Sequence, residues 1–280
     1  YMGDEGFPPL WITSAPLQGG RSLLLDASVS SQYVSALMMI TPLLPGGLTL
    51  DLEERIVSAA YIRMTAGMMR LFGVDVRFEG KKIIIPEKGY IPVNLRVESD
   101  WTAASYFYEM LSIVGQGEIF ISDLKKDSLQ GDALQYRLWE QLGVQTEWRE
   151  SGVLLRVAGE NTGLFEADFT EMPDLALTFI VTCCLKDIPF HIRGLETLYV
   201  KECDRVAASI RELHKSGSPR AWRVVMESGT EYVDFIGNRY LSRSPYGNGV
   251  CSCRVEVTRF GHPQCRGGDE VFPYILGTAG

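Results

Sequence analysis

Three stretches of this 280-residue chain repeat one pattern at a spacing of about seventy residues, and that repeat limits the fold more than any other feature. Residues 47–52, 117–124 and 188–195 are short β-rich runs ending in Leu52, Leu124 and Leu195. An apolar helical run precedes each, at 31–44, 101–114 and 173–185. A second, amphipathic run follows each, at 57–72, 130–142 and 201–215. The first two amphipathic runs stop at Phe72-Gly73-Val74 and Leu142-Gly143-Val144, with glycine where a helix closes. Strand pairs are expected next, 74–78 with 82–86 and 144–148 with 153–157, and leading strands at 23–26, 91–97 and 166–169. The unit therefore reads β-α-β-α-β-β, and the chain holds two units and the front half of a third. The fold class is α/β (α+β), built from these repeated units. The first helix of each unit is apolar nearly all round and is expected to be buried; the second has a polar face and is expected to be half exposed.

Composition sets the outer limits. Hydrophobic residues are 46% and charged residues 22%, the balance of a folded globular chain. A net charge of −8 argues against a general nucleic-acid binder but leaves room for a local cationic pocket. The longest apolar stretch, near 34–44, is far short of the roughly 20 residues that cross a bilayer, so no membrane partner is expected. No cationic start with an apolar run suggests a leader, and the chain, opening without Met, is expected to lack its own beginning. Six cysteines make no disulfide framework, which favours a reducing, cytoplasmic home.

The composition breaks near residue 216. Residues 216–280 hold seven Arg and no Lys, ten of the 28 Gly and three of the six Cys, but only two Leu. Three expected boundaries follow. Residues 1–96 form the later part of one domain, 97–215 the first part of a second, and 216–280 a segment that does not supply the third unit's closing strands.

Chemistry can sit in three places. Asp26-Ala-Ser-Val-Ser-Ser-Gln32 ends a strand and opens the first apolar helix, where hydroxyls and free N–H groups cradle phosphate. An ordinary Ser-rich helix cap looks the same. Pro173-Asp174 opens the apolar helix of the third unit, with the carboxylate at the positive end of the helix dipole, as Asp100 does in the second. Lys201 and Arg205, four apart, share a helix face; two cations at a helix start suit an anion held between them, or a solvated charge run. Cys251, Cys253, His262 and Cys265 offer four zinc ligands, but their spacing is no common finger.

Taken together these motifs resemble the 5-enolpyruvylshikimate-3-phosphate (EPSP) synthase family of enolpyruvyl transferases. The resemblance rests on Asp26–Tyr33, Tyr61-Ile-Arg-Met-Thr65 with Phe72-Gly-Val74, Trp101-Thr-Ala-Ala-Ser-Tyr-Phe107, Ser128-Leu-Gln-Gly-Asp132, Pro173-Asp174 and Val200-Lys-Glu-Cys-Asp-Arg205. It covers residues 1–215 in order. It implies two domains of three repeat units each, with the active site drawing on both. It implies Ser30, Ser31 and Gln32 as the shikimate 3-phosphate cradle, Ser58 as a further phosphate contact and Tyr61 against the shikimate ring. Asp174 is implied as the acid–base group at the 5-hydroxyl, and Glu202 as a second proton-transfer group. Lys201 and Arg205 are implied as ligands of the substrate hydroxyl and phosphoenolpyruvate, and Thr197 as a substrate contact. The family reaction adds the 5-hydroxyl to C2 of phosphoenolpyruvate while C3 is protonated, and the tetrahedral intermediate then expels phosphate. Neither cofactor nor metal is implied, and the chain is expected to be a monomer whose partners are those two small molecules. The related UDP-N-acetylglucosamine enolpyruvyl transferases fit less well, because Ser30-Ser-Gln32 and Lys201-Glu-x-Asp-Arg205 belong to the first family. A non-catalytic pseudo-enzyme fragment is the alternative of another class. Cys203, Ala60 and Thr197 depart from the family's usual Thr, Pro and Asn. The resemblance also places this chain's start about a third of the way into the family's sequence, leaving other cationic ligands outside it, so the chain alone is expected to be inactive.

The family's last third carries Thr-Tyr-x-Asp-His-Arg-Met-Ala-Met, which is absent here. Codons compatible with Ser244–Cys253, read one base later, spell His-Arg-Met-Ala-Met-Ala-Phe-Ala-Pro, and those of Val224–Glu227 spell Leu-Ser-Trp. One change of frame between about residues 215 and 224 accounts for both this and the compositional break. The coding sequence checks it directly: the shifted frame is expected to spell those peptides, and codons that do not would end this reading.

Overall fold

The computed structural model describes residues 1–13, 16–26, 31–53, 59–159, 163–199 and 201–215, together with strands at 223–224, 232–236 and 239–243. Two compact units divide it, Tyr1–Val97 and Glu98 onward.

In the first unit, Arg21–Leu25 (β1) runs parallel to Leu48–Leu52 (β2), with Ser31–Ile40 (α1) crossing between them. Thr41-Pro42 stops α1, because proline has no N–H to continue the ladder, and the chain leaves through a 3-10 turn at Thr41–Leu43. Ala59–Leu71 (α2) follows, then the hairpin Arg77–Glu79 (β3) and Lys82–Ile85 (β4), giving the sheet order β1-β2-β4-β3. Gly73 closes α2 at φ 85°, and the amide of Val74 returns to the Met69 carbonyl. Val34, Met38, Leu50, Ile62, Ala66, Met69, Val74 and Ile83 fill the core.

The second unit opens with Trp101–Val114 (α3), whose Asp100 cap accepts hydrogen bonds from the amides of Thr102 (2.7 Å) and Ala103 (3.3 Å). Glu118–Ser122 (β5), Val144–Arg149 (β6) and Gly152–Val157 (β7) form an antiparallel sheet in the order β5-β7-β6, with the short helix Tyr136–Gln141 (α4) before β6. Phe165–Asp168 (β8) and Phe190–Arg193 (β9) pair in parallel across Ala176–Leu185 (α5), and Arg205–Lys215 (α6) follows. The core is aromatic. Phe179 of α5 stacks on Trp139 of α4 at 4.1 Å between ring centres, and Tyr108, Phe165 and Phe169 complete the stack.

Several expectations are corrected. Residues 91–97 form no strand; they run exposed, without ladder partners. The helix expected at 130–142 is a 3-10 turn, Gly131–Gln135, followed by α4. The apolar helices are not uniformly buried. Tyr33 and Met39 on α1, and Tyr106, Met110 and Val114 on α3, are all more than half exposed, because α1 packs one face on α2, and α3 packs on its sheet and α5, leaving a face of each bare. Helix α5 has α3 and α6 beside it as well as β9, and most of it is buried. Separately from these corrections, the described residues beyond 216 include Arg223–Val224 (β10), Tyr232–Ile236 (β11) and Arg239–Arg243 (β12), which form a three-stranded antiparallel sheet of their own. Tyr, Val, Phe, Ile and Leu supply the β propensity there. No helix among the described residues is long and apolar enough to cross a membrane.

One buried group costs this fold stability. Glu109 of α3 is 6% exposed, its Oε1 has no hydrogen-bond partner, and burial pushes its carboxyl up to about 7. Below the ordinary carboxylate range both folded and unfolded states carry the proton. As pH rises towards 7 the unfolded chain ionises first, so stability falls across that interval, by up to roughly 3 kcal/mol. Glu109→Gln is expected to unfold at higher urea than the parent at pH 8, with the difference vanishing near pH 4.

Candidate functional site

The loop after β9 is pressed against the turn after β8. Gly194 makes this possible: at φ 78° a Cβ would lie 2.2 Å from the Thr170 amide nitrogen, so no other residue fits without shifting backbone. Phe169 N–H donates to the Arg193 carbonyl at 2.9 Å, and the amide of Thr170 donates to Asp168 Oδ1 at 2.9 Å. That turn leads into Pro173–Leu175, a 3-10 turn opening α5, with Pro173 buried and Asp174 partly exposed. The chain beyond β9 passes through a 3-10 turn at Glu196–Tyr199 and on to α6.

Four of the expected residues meet here. Arg205 Nη1 donates to Asp174 Oδ1 at 2.8 Å, and Lys201 Nζ lies 3.6 Å from the same oxygen. Arg205 also grips Glu202, through Nε to Oε2 at 2.9 Å and Nη2 to Oε1 at 2.6 Å, in a two-pronged charge-assisted pair. The cluster carries two positive and two negative side chains. Its helix geometry differs from the expectation. Helix α6 begins at Arg205, so Lys201 and Arg205 do not share a helix face; they converge on Asp174 from the preceding segment and from the first helical residue. Asp204 caps the helix instead, accepting from the amide of Ala207 at 2.9 Å. Thr197, in the adjoining 3-10 turn, has a buried Oγ1 with no hydrogen-bond partner.

The electrostatics follow the geometry. Hydrogen bonding from Arg205 holds the Glu202 carboxyl below the usual range. Burial works against the Arg205 charge, and the hydrogen bond and charge of Glu202, with Asp174 behind them, more than offset it. Asp132, which had no assigned role in the sequence motifs, also belongs to this neighbourhood. Its carboxyl is pushed up by burial, drawn back by the Thr102 hydrogen bond, and raised again by the charges of Asp174 and Asp100. Its place in Ser128-Leu-Gln-Gly-Asp132 was the available signal.

The remaining expected residues lie in the first unit or outside the described residues. Ser31 is the buried first residue of α1, Gln32 is exposed beside it, and Tyr61 is half-buried in the first turn of α2. Helices α1 and α2 follow the parallel strands β1 and β2, so both begin beyond the same strand ends. The Thr65 hydroxyl donates to Ser35 Oγ at 3.2 Å between them. Ser30 and Ser58 fall outside the described residues, as do Cys251, Cys253, His262 and Cys265.

Replacing the guanidinium tests the cluster's electrostatics. In Arg205→Gln the Glu202 carboxyl is expected to titrate at higher pH than in the parent, back towards the ordinary glutamate range. Carbon-13 NMR of glutamate-labelled protein checks this, with Glu202→Gln assigning the signal.

Known proteins match most of this chain. Residues 1–221 match the family described as EPSP synthase (3-phosphoshikimate 1-carboxyvinyltransferase). The chain is 41% identical over 218 residues to a 3-phosphoshikimate 1-carboxyvinyltransferase of Bacteroides fragilis, covering 78% of this chain and 53% of that protein. It is 35% identical over 236 residues to the protein of the same name from Vibrio atlanticus, covering 83% and 53%. The EPSP synthase structure from Acinetobacter baumannii aligns with a TM-score of 0.47 at 20% identity, over 65% of this chain and 42% of that one. The chain spans about half the length of the curated relatives it matches. With the family's match running through both helix starts of the first unit and through the Asp174–Arg205 cluster, this chain belongs to the EPSP synthase family.

Proposed function

We propose that the Asp174 cluster serves enolpyruvyl transfer from phosphoenolpyruvate to shikimate 3-phosphate, the shikimate-pathway reaction of aromatic amino acid biosynthesis. The observation that carries this reading is the convergence of Lys201 and Arg205 on Asp174, with Glu202 on the other side of the guanidinium. Both substrates are multiply anionic, and the two cations can exchange their carboxylate partners for phosphate or carboxylate oxygens of a ligand. A ligand carboxylate or phosphate suits the planar fork of Arg205.

Asp174 then takes the proton of the attacking 5-hydroxyl as that oxygen bonds to C2 of phosphoenolpyruvate. A proton delivered to C3 balances the addition, and Glu202 is the second carboxylate in reach of the cations. Loss of a C3 proton and departure of phosphate complete the transfer. Positioned carboxylates doing such work contribute about 10²–10⁴-fold in rate. The unpartnered hydroxyl of Thr197 stands ready for a substrate hydroxyl. For the first unit the family resemblance assigns Ser30, Ser31, Gln32 and Ser58 to the 3-phosphate and Tyr61 to the shikimate ring; the helix start of α1 favours an anion by its dipole. The reading needs no cofactor or metal, and it takes the protein to be a cytoplasmic monomer. The frame change near residues 215–224 belongs to the same proposal, and the family match ending at residue 221 supports it. From the 280-residue chain alone we expect no measurable turnover.

Residues 1–215 placed in the matching span of the Bacteroides fragilis relative test the site itself. The chimera is expected to consume both substrates, and Asp174→Asn within it to lower kcat by about 10²-fold or more with little change in KM. A folded chimera without turnover would refute the assignment.

A further inference from the structure

We propose that Thr65 is a positioning residue of the first unit: its hydroxyl, joined to Ser35, fixes the spacing and rotation of the starts of α1 and α2, and so where Ser31, Gln32 and Tyr61 are presented to a phosphorylated ligand. This deepens the reading of those three residues as shikimate 3-phosphate contacts and rests on it.

Ser35 follows Ser31 by four residues on α1, and Thr65 follows Tyr61 by four on α2, so each hydroxyl sits one turn inside its helix, on the face of the residue it follows. Thr65 Oγ1 is 3.2 Å from Ser35 Oγ on the other helix and 3.0 Å from the Tyr61 carbonyl on its own. The single hydroxyl proton is shared between these two acceptors. The contact therefore links α1 directly to the backbone of the residue assigned to the shikimate ring.

The rest of what holds these helices is apolar. Helix α1 packs on α2, and Val34 and Met38 of the first share one buried cluster with Ile62, Ala66 and Met69 of the second. Such side chains hold two helices together but leave their sliding and rotation weakly set, because the hydrophobic effect has no direction. A hydrogen bond has one: it forms over a short range of distance and angle. One polar pair between two otherwise apolar helix faces thus fixes their register, as a lone polar residue does in a coiled-coil seam. A ligand held by both helix starts feels any change in that register. Misplacing a positioned group by about 1 Å can cost on the order of 10²-fold.

The test compares Thr65→Val, which keeps the shape and removes the hydroxyl, with Thr65→Ser, which keeps the hydroxyl. In the chimera with the Bacteroides fragilis relative, Thr65→Val is expected to raise KM for shikimate 3-phosphate about tenfold and to leave kcat within about twofold, because the 3-phosphate is not the reacting group. Thr65→Ser is expected to keep the parent KM. Ser35→Ala is expected to match Thr65→Val, and the double variant to be no worse than either, since all three remove one contact. A Thr65 of purely structural importance would lower the urea midpoint and leave KM unmoved, and an unmoved KM in Thr65→Val overturns the proposal. A second readout separates this from the reading it rests on. In the full 280-residue chain labelled with nitrogen-15, the amide signals of Ser31 and Gln32 are expected to move in Thr65→Val, although the substitution is on the other helix, and to hold their parent positions in Thr65→Ser. Moved signals beside an inactive parent chimera refute the enolpyruvyl-transfer reading and leave the coupling of the helix starts intact. Unmoved signals overturn the coupling whether or not the chimera turns over.

Discussion

The stack of Phe179 on Trp139 is the contact on which the second unit turns. Phe179 sits in the middle of α5 and Trp139 in α4, and both are fully buried. Tyr108 of α3 also stacks on Trp139, and Phe165 and Phe169 bring β8 and its following turn to Phe179. Burying rings of this size contributes several kcal/mol each, and truncating one such ring costs about 3–5 kcal/mol. The consequence reaches the site. Phe169 is five residues before Asp174 and Phe179 five after, so the carboxylate rides on a turn anchored at both ends by the same aromatic cluster.

Around that apolar centre the polar groups are paired in a way that leaves the start of α3 little freedom. Asp100 caps the helix, Gln130 satisfies the Trp101 amide that the cap does not reach, and Gln135 takes the Trp101 carbonyl while accepting from Trp139 Nε1 at 2.9 Å. At the far end, Lys186 Nζ donates to the Ser112 carbonyl at 2.6 Å and to the Leu142 carbonyl at 3.2 Å, tying α5 to the ends of α3 and α4. These bonds matter less for their net energy than for what their loss would leave: buried groups without partners, each costing about 1–3 kcal/mol. Glu109 Oε1 shows the penalty in place, and Trp101 Nε1 of the same helix is likewise buried without a hydrogen-bond partner.

Charge in the Asp174 cluster is balanced within a few ångströms. Each acid of the cluster is held by a cation: Asp174 by Lys201 and Arg205, Glu202 by Arg205. One guanidinium therefore bridges two carboxylates. The overall charge of −8 bears little on this cluster, because water and salt screen distant exposed acids over about 10 Å.

Much of this architecture was legible in residue order. The runs ending in Leu52, Leu124 and Leu195 each hold a strand, and Gly73 and Gly143 marked where helices close, because backbone stereochemistry and apolar periodicity are local properties. Asp174, Lys201, Glu202 and Arg205 could be singled out by their motifs for the same reason. Three things were not legible. The exposure of Tyr33 and Tyr106 depends on how many neighbours a helix finds, and helical periodicity does not count neighbours. The start of α6 at Arg205 rather than at Lys201 reflects the competition won by the Asp204 cap and the ion pairs of Asp174. The company of Asp132 joins residues 30 and 42 positions apart, Thr102 and Asp174. Sequence by itself determined which elements form and which side chains are chemically able; only the tertiary structure decided which of them share an environment, because burial and charge coupling act through space and not along the chain.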